Sequence, residues 1–531
     1  MSVISTRELP RTTAAPAVHG QWTVVVVLLV QMAIAMVTAA VQQTPTIDEP
    51  VYVGAAVVQA QQHSLRYNPE HPPLGKLIMA TGLAFADVRL DPAFDGDQTE
   101  LGWHVLYESG NDPARLLLLA RLPMVVLTLL FGLVVFLFAR DLSGPVGGMV
   151  ALALYALSPD VIAHGSLATL DVPTAGFLLT SAWLLWRART RAVHLPLAGL
   201  ALGAALATKM SALAAVPVLL VLAALSVERA RLKAAAVVAL VAVAVVWVSY
   251  LAVDPFLRWD IDVPPVSGVR AVADWLPFPK PYRDGMHVQF GLEDRVWGGF
   301  LFGTHYSGSR WYYLPVALLV KAPLGALVLW LAGAAVMARR PAAPYVLAPA
   351  GVLLAAAMTG SRDLGVRYAI FVPMFLAVAA GAVVAVRRRW VHVAVAGLVA
   401  LVAVSSLRAF PYYLPYSNEA FGGPEETYLR LHDSNVDWGQ DLGRLADRLR
   451  DRYPGERIWL VYKGAGVPSY YGIDAADPRT APPNRVRGLL VVSDSAIAKA
   501  DDRLKALIAG STRIDEVGHS ITIYRRPAPA R

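Results

Sequence analysis

Residues 22–56 read WTVVVVLLVQMAIAMVTAAVQQTPTIDEPVYVGAA, and this stretch decides the fold. From Trp22 to Val41 no residue carries a charge. A bilayer core of roughly 30 Å requires about 20 such residues in a helix. Arg7 and Arg11 precede the run, as they would precede a signal peptide or a first anchor. The run is long for a signal sequence, and no convincing A-x-A cleavage site follows it, so it reads as the first transmembrane helix. Within a few residues of its end stand two prolines and the acidic pair Asp48-Glu49.

The same apolar pattern recurs outward from this segment. Of the 531 residues, 56% are hydrophobic and 16% charged, and the mean hydropathy is +0.49, well outside the range of a soluble domain. Apolar windows predict helices over 22–41, 115–138, 146–162, 172–186, 194–208, 211–226, 233–253, 313–337, 344–359, 366–386 and 390–408, about 11 in all. With residues 1–21 cytoplasmic, the inside loops hold Arg140, Arg187, Arg189, Arg191, Arg229, Arg231, Lys233, Arg339, Arg340 and Arg387 to Arg389, a consistent positive-inside pattern. The net charge of +8 is therefore spread over short loops, and no aromatic-interleaved basic patch for nucleic acid appears. The absence of cysteine excludes disulfides, thiolate catalysis and Cys-ligated zinc.

That parity puts loops 42–114 and 254–312, and the tail 409–531, on the outer face. In the tail, hydropathy falls and the runs RIWLVYKG, GLLVVSDS and HSITIYRR alternate as strands between helical pieces near 440–452 and 495–508. The expected architecture is a polytopic α-helical membrane domain over 22–408 with a small outer α/β domain.

Polar residues near the outer ends of spans are the candidates for chemistry. Asp48 and Glu49 fit a helix N-terminus with Pro50 in its first turn, and equally a carboxylate held at the water boundary to take a proton from a hydroxyl. Lys76, in RYNPEHPPLGKLIMA beside His71, reads as a snorkelling lysine or as a point-charge ligand for a lipid phosphate. Asp171, in HGSLATLDVPTAGF, is either a helix cap or a functional acid near an apolar span. Arg121 near the outer end of the second span has room to snorkel. Arg362 and Arg367, in SRDLGVRYAIFVP, fit headgroup anchors or phosphate ligands. In DSNVDWGQDL (Asp433 to Leu442), Trp438 among polar residues suggests a sugar-binding surface or an Asx-turn leading into a helix.

These pieces together resemble the GT-C glycosyltransferases of the protein O-mannosyltransferase and aminoarabinose-transferase type. The resemblance is carried by the Asp48-Glu49 pair, HPPLGK at 71–76, LATLD ending at Asp171 and GVRY at 365–368, with PYSNEAFGGP and DSNVDWGQDL resembling a bacterial branch. It implies the GT-C fold in a bacterial plasma membrane and a polyprenyl-phosphate-sugar donor. It further implies an acceptor hydroxyl on a protein, lipid or glycan of the cell envelope, mannose or a similar sugar, and inversion at the anomeric carbon. The roles implied are Asp48 as general base and Glu49 as its support, with Lys76 and one or more of Arg121, Arg362 and Arg367 on the donor phosphate. Asp171 and His71 would contact substrate. Asp48, Glu49 and Asp171 around a divalent cation is the alternative way to neutralise phosphate. Without a ligand spacing such as HExxH, the reading favoured is metal-free and without a cofactor. The rival from another class is a transporter or flippase, which predicts repeat symmetry and mid-bilayer polar residues; neither is evident.

Overall fold

The computed structural model describes residues 16–258, 261, 263 and 268–527, so Arg7 and Arg11 lie outside the described residues. The first span is α1 (Pro16–Gln42). One of its faces, carrying Met32, Met36 and Ala39, is buried, whereas Val27 and Ile34 on the opposite face are each 60% exposed. A helix apolar on both its packed and its open face has lipid as its solvent. The chain is a membrane-embedded helical protein. Among the described residues, four helices are by themselves long and apolar enough to cross a membrane: Gly20–Gln42, Pro113–Ala156, Arg231–Val253 and Arg389–Ala409. Shorter apolar helices fill the bundle between them.

Several expected spans are broken, each for a local reason. The segments expected at 115–138 and 146–162 run together from Pro113 to Ala156, apart from one non-helical residue, Gly144, at φ 75° before Pro145. The second segment then stops short of 162. Ser158 caps a separate short helix, Pro159–Gly165, whose first residue lacks an N–H to continue the previous ladder. Pro323 likewise divides 313–337 into Tyr313–Lys321 and Leu324–Met337. The carbonyls orphaned at that break are satisfied by Asn418: its side-chain amide donates to Leu319 O (2.7 Å) and Ala322 O (2.9 Å), and its backbone N–H to Val320 O (2.9 Å). The PYSNEA segment is thus a clasp on a proline-broken helix.

Loop 42–114 holds two helices that support the site, α2 (Glu49–Gln62) and α3 (Leu74–Leu83). They pack on each other and, through α3, on the Pro113–Ala156 helix.

After the bundle, Tyr413, Tyr416, Leu431, Val436 and Trp438 are still part of its hydrophobic core. A separate core begins at Leu442. Apart from a hairpin of β1 (Gly298–Leu301) and β2 (Thr304–Ser307), the strands form one five-stranded sheet. These are β3 (Ile458–Val461), β4 (Ala475–Ala476), β5 (Gly488–Ser493), β6 (Thr512–Val517) and β7 (Ile521–Arg526), in the order β4-β3-β5-β7-β6. β5 lies parallel to β3 and antiparallel to β7. Alternation along the strands sends Leu460, Leu489, Val491 and Ile523 to the face covered by Leu442–Arg452. Trp459, Leu490, Val492 and Tyr524 go to the face covered by Asp502–Ala509. The helix expected over 495–508 is in fact two, Asp494–Ala498 and Asp502–Ala509, the second capped by Asp501.

Asp437 and Asp494 are buried in this C-terminal domain, and Asp494 Oδ1 accepts from Thr522 Oγ1 at 2.8 Å. Burial pushes the Asp437 carboxyl up to about 6 and Asp494 up to about 7. A raised folded-state pKa means the folded protein holds a proton that the unfolded chain has released, so this contribution to stability falls as pH rises from about 4 to 7. Asp494→Asn keeps the acceptor for Thr522 without the charge. It should be close to wild type in thermal stability at pH 4 and more stable by about 2–4 kcal/mol at pH 8. The difference between the two proteins isolates this group, because His432, which burial holds neutral down to about pH 3, titrates with the opposite sign in both.

Candidate active site

The site begins where the first span ends. Glu49 and Arg121 are both 0% exposed. The Glu49 carboxylate accepts from Arg121 Nε (2.7 Å) and Nη2 (2.6 Å), from the N–H (2.9 Å) and hydroxyl (3.0 Å) of Thr46, and from Ala168 N–H (2.8 Å). The remaining Arg121 protons go to Ala40 O (2.7 Å), Gln43 O (2.8 Å) and Thr44 O (3.1 Å). A planar guanidinium with five donors thus caps the carbonyls at the end of α1 while holding the first residue of α2. Because every donor is used, Arg121 has none left for a phosphate.

Asp48, one residue earlier, has a different environment. It precedes α2 yet its side chain makes no capping hydrogen bond. Its Oδ2 accepts from Arg367 Nη1 at 2.6 Å, its Oδ1 has no partner among the described residues, and the residue lines a cavity of about 950 Å³. The same cavity is lined by Asp171, Lys209, His71, Arg362 and Trp438. Lys209 Nζ donates to Asp171 Oδ1 at 2.6 Å, and Arg367 Nη1 lies 3.7 Å from Asp171 Oδ2. Two cations and two carboxylates therefore alternate across one wall. Arg367 is also stacked over Trp438, 4.3 Å from the ring centroid, where an aromatic face supports a cation without consuming its N–H groups. Away from this polar wall the cavity runs between helices, against Leu178, Leu213, Leu353, Ala357 and Phe371.

Lys76 is elsewhere. Its ammonium is buried and its three protons go to Asn68 O (3.0 Å), Asn68 Oδ1 (3.1 Å) and His71 O (2.6 Å). It pins the loop that presents His71 to the cavity. The His71 ring lies 5.9 Å from Tyr52, and burial together with Lys209 and Lys76 keeps it neutral, well below its ordinary pKa. Arg362 is paired with Glu293, which is held in turn by the N–H (3.0 Å) and hydroxyl (2.8 Å) of Ser361.

The DSNVDWGQDL segment closes the site from the far side. It is buried at Asp433 to Trp438, so Trp438, 1% exposed, is no open sugar platform. An Asx-type bond, Gly439 N–H to Asp437 Oδ1 (3.1 Å), is present, whereas Asp441 at the start of the following helix makes no side-chain cap. The segment pairs with the end of α1 through Ile47 N–H to Trp438 O and Thr44 N–H to Gln440 O, both 3.0 Å. At Gly365 a Cβ would lie 1.9 Å from Ser434 Oγ, so a side chain there would displace the hydroxyl that donates to Leu364 O.

Residues 25–257 match the family model of the dolichyl-phosphate-mannose-protein mannosyltransferases. The crystal structure of ArnT from Cupriavidus metallidurans in the apo state superposes over 96% of this chain and 99% of that one, with a TM-score of 0.50 and 14% identity. The chain has the GT-C fold. The same ArnT bound to undecaprenyl phosphate gives a TM-score of 0.47 at 16% identity, covering 97% of this chain and 99% of that one. The Archaeoglobus fulgidus oligosaccharyltransferase tethered to an acceptor peptide gives 0.43 at 11%, covering 96% and 74%. No curated protein sequence matches the chain.

The structure brings Asp48, His71, Asp171, Arg362 and Arg367 to one cavity, and sets Glu49, Lys76 and Arg121 behind its walls. Lys209 is the residue the sequence reading passed over. The available signal was a lone cation between the apolar runs ending at 208 and starting at 211, on the same parity as Asp48. Because removing one partner leaves a buried charge uncompensated, Arg121→Ala should lower stability by about 3–5 kcal/mol. Replacing Arg121 and Glu49 together by Met and Leu should lose less, as read by thermal unfolding in detergent.

Proposed function

We propose that this protein is a membrane glycosyltransferase that moves a sugar from a polyprenyl-phosphate-linked donor to an acceptor hydroxyl, with Asp48 as general base and inversion at the anomeric carbon. The single observation that carries the reading is the Asp48 carboxylate, with one oxygen held by Arg367 and the other unpartnered in a cavity whose far wall is apolar. An apolar channel between helices suits a polyprenyl chain. Arg367, Lys209 and Arg362 suit the phosphate beside it. The dolichyl-phosphate-mannose description of the matched family supports this donor class and makes mannose or a similar hexose the first sugar to try.

In the proposed step the acceptor oxygen forms a bond to the anomeric carbon as its proton passes to Asp48 Oδ1. The bond from that carbon to the phosphate oxygen breaks on the opposite side. Polyprenyl phosphate leaves as a stabilised anion, so no glycosidase-type general acid is needed. Arg367 and Lys209 offset its charge, Asp171 keeps them aligned, and neutral His71 orients the sugar or acceptor. Lys76 and Arg121 are assigned no phosphate because their donors are spent. Basic clusters on the loops at the other end of the bundle support a site on the extracytoplasmic face of a bacterial plasma membrane. The acceptor class remains a hydroxyl on a protein, lipid or glycan.

With purified protein and polyprenyl-phosphate mannose, Asp48→Asn should lower kcat by about 10²–10⁴-fold and leave the donor KM within threefold. Unimpaired transfer by the variant would remove Asp48 from its role. Binding of decaprenyl monophosphate separates the lysines: Lys209→Ala should weaken it about tenfold, the order of one charge-assisted contact, whereas Lys76→Met should lower thermal stability at unchanged affinity.

A further inference from the structure

The C-terminal domain contributes its own charges to the cavity. Lys463, beyond β3, and Lys499, at the end of the Asp494–Ala498 helix, both line it, together with Asp433. Lys463 is paired with Asp433, and the Asp433 N–H donates across the junction to Ser495 Oγ at 2.8 Å. The Lys499 side chain has neither a hydrogen bond nor an ion pair among the described residues, its backbone N–H alone donating to Ile497 O. It is nonetheless only partly exposed, and burial and the nearby Lys463 both disfavour its charged form. A half-buried ammonium beside a second one, with a single carboxylate already taken, leaves one positive charge uncompensated where the cavity opens onto this domain. Such a charge is stabilised by an incoming anion.

The position of the two lysines says which substrate meets them. The cations assigned to the donor phosphate, Arg367, Lys209 and Arg362, lie on the helical bundle whose helices also form the apolar channel. Lys463 and Lys499 lie on a domain that contributes nothing to that channel. Resting on the glycosyltransfer reading above, we infer that Lys499, assisted by Lys463, forms a second anion subsite through which the C-terminal domain holds an acceptor bearing a phosphate group. A compact ammonium acts on phosphate as a point charge. The subsite makes the domain a determinant of acceptor choice.

The test is calorimetric binding to the full-length protein in neutral phosphatidylcholine nanodiscs, with octyl glucoside 6-phosphate and octyl glucoside as probes. Wild type should bind the phosphorylated glucoside at least tenfold more tightly. Lys499→Ala should bring the two within twofold, Lys499→Arg should retain the preference, and decaprenyl monophosphate should bind Lys499→Ala as it binds wild type. Equal affinity of wild type for the two glucosides would overturn the inference, as would an unchanged preference in Lys499→Ala. Weakened decaprenyl phosphate binding in Lys499→Ala would move the lysine to the donor site. Inorganic phosphate binding as tightly as the glucoside phosphate would mark a free-phosphate site instead. These readouts need no turnover, so Asp48→Asn should keep the preference. If that variant transferred sugar at the wild-type rate, the base assignment would fall and the subsite would stand.

Discussion

The buried pair of Glu49 and Arg121 is the constraint from which the rest of the site follows. An apolar span that ends below the surface leaves carbonyls without partners, and water is not there to take them. Arg121 supplies three of those carbonyls with donors and uses its remaining N–H groups to hold Glu49. The chain must then turn directly from α1 into α2. Asp48 sits on that turn, where its backbone is fixed by its neighbours and its side chain is not consumed by capping. One acid of the pair builds the corner; the other faces the cavity from it.

A second corner comes from far along the chain. Asn435 accepts from Val366 N–H (2.9 Å) and donates to Tyr313 OH (2.9 Å), while its backbone carbonyl accepts a hydrogen bond from buried Lys321 (2.8 Å). Lys321 lies 3.3 Å from Asp160. This network joins three bundle segments to the strip that carries Trp438, and Trp438 stacks on Arg367. Gly439 meets the same demand for close approach: its φ is +92° and a Cβ would lie 2.6 Å from Gly464 Cα. The C-terminal domain is thus connected to Asp48 through Trp438 and Arg367 rather than appended beside the bundle.

Much of this was legible in the sequence, and the gaps have physical causes. Hydropathy located the apolar helices because lipid solvates side chains without regard to tertiary contacts, and Asp48 stood out because an acid so near a span needs a reason. Glu49 looked identical to Asp48, since adjacency in sequence does not tell which of two side chains turns inward. Lys76 and Arg121 were conspicuous cations, yet a pattern of residues does not report that every N–H is already used. β6, TRIDEV, was missed because an edge strand with exposed Arg513 and half-buried Asp515 lacks a buried apolar alternation. Asn418 depends on carbonyls over 90 residues away, and Asn435 on the Val366 N–H, the Tyr313 hydroxyl and the Lys321 ammonium, the nearest of them 69 residues away, which no local window contains.

The account turns on where the donor's phosphate and anomeric carbon come to rest relative to Asp48. A cryo-EM structure of the full-length protein with a non-hydrolysable polyprenyl-phosphonate sugar would measure this directly. The account predicts the phosphonate within hydrogen-bond reach of Arg367 and Lys209, the chain against Leu178 and Leu353, and Asp48 Oδ1 on the side of the anomeric carbon opposite the phosphonate. A phosphonate seated on Arg121 or Lys76, or an anomeric carbon turned away from Asp48, would contradict it.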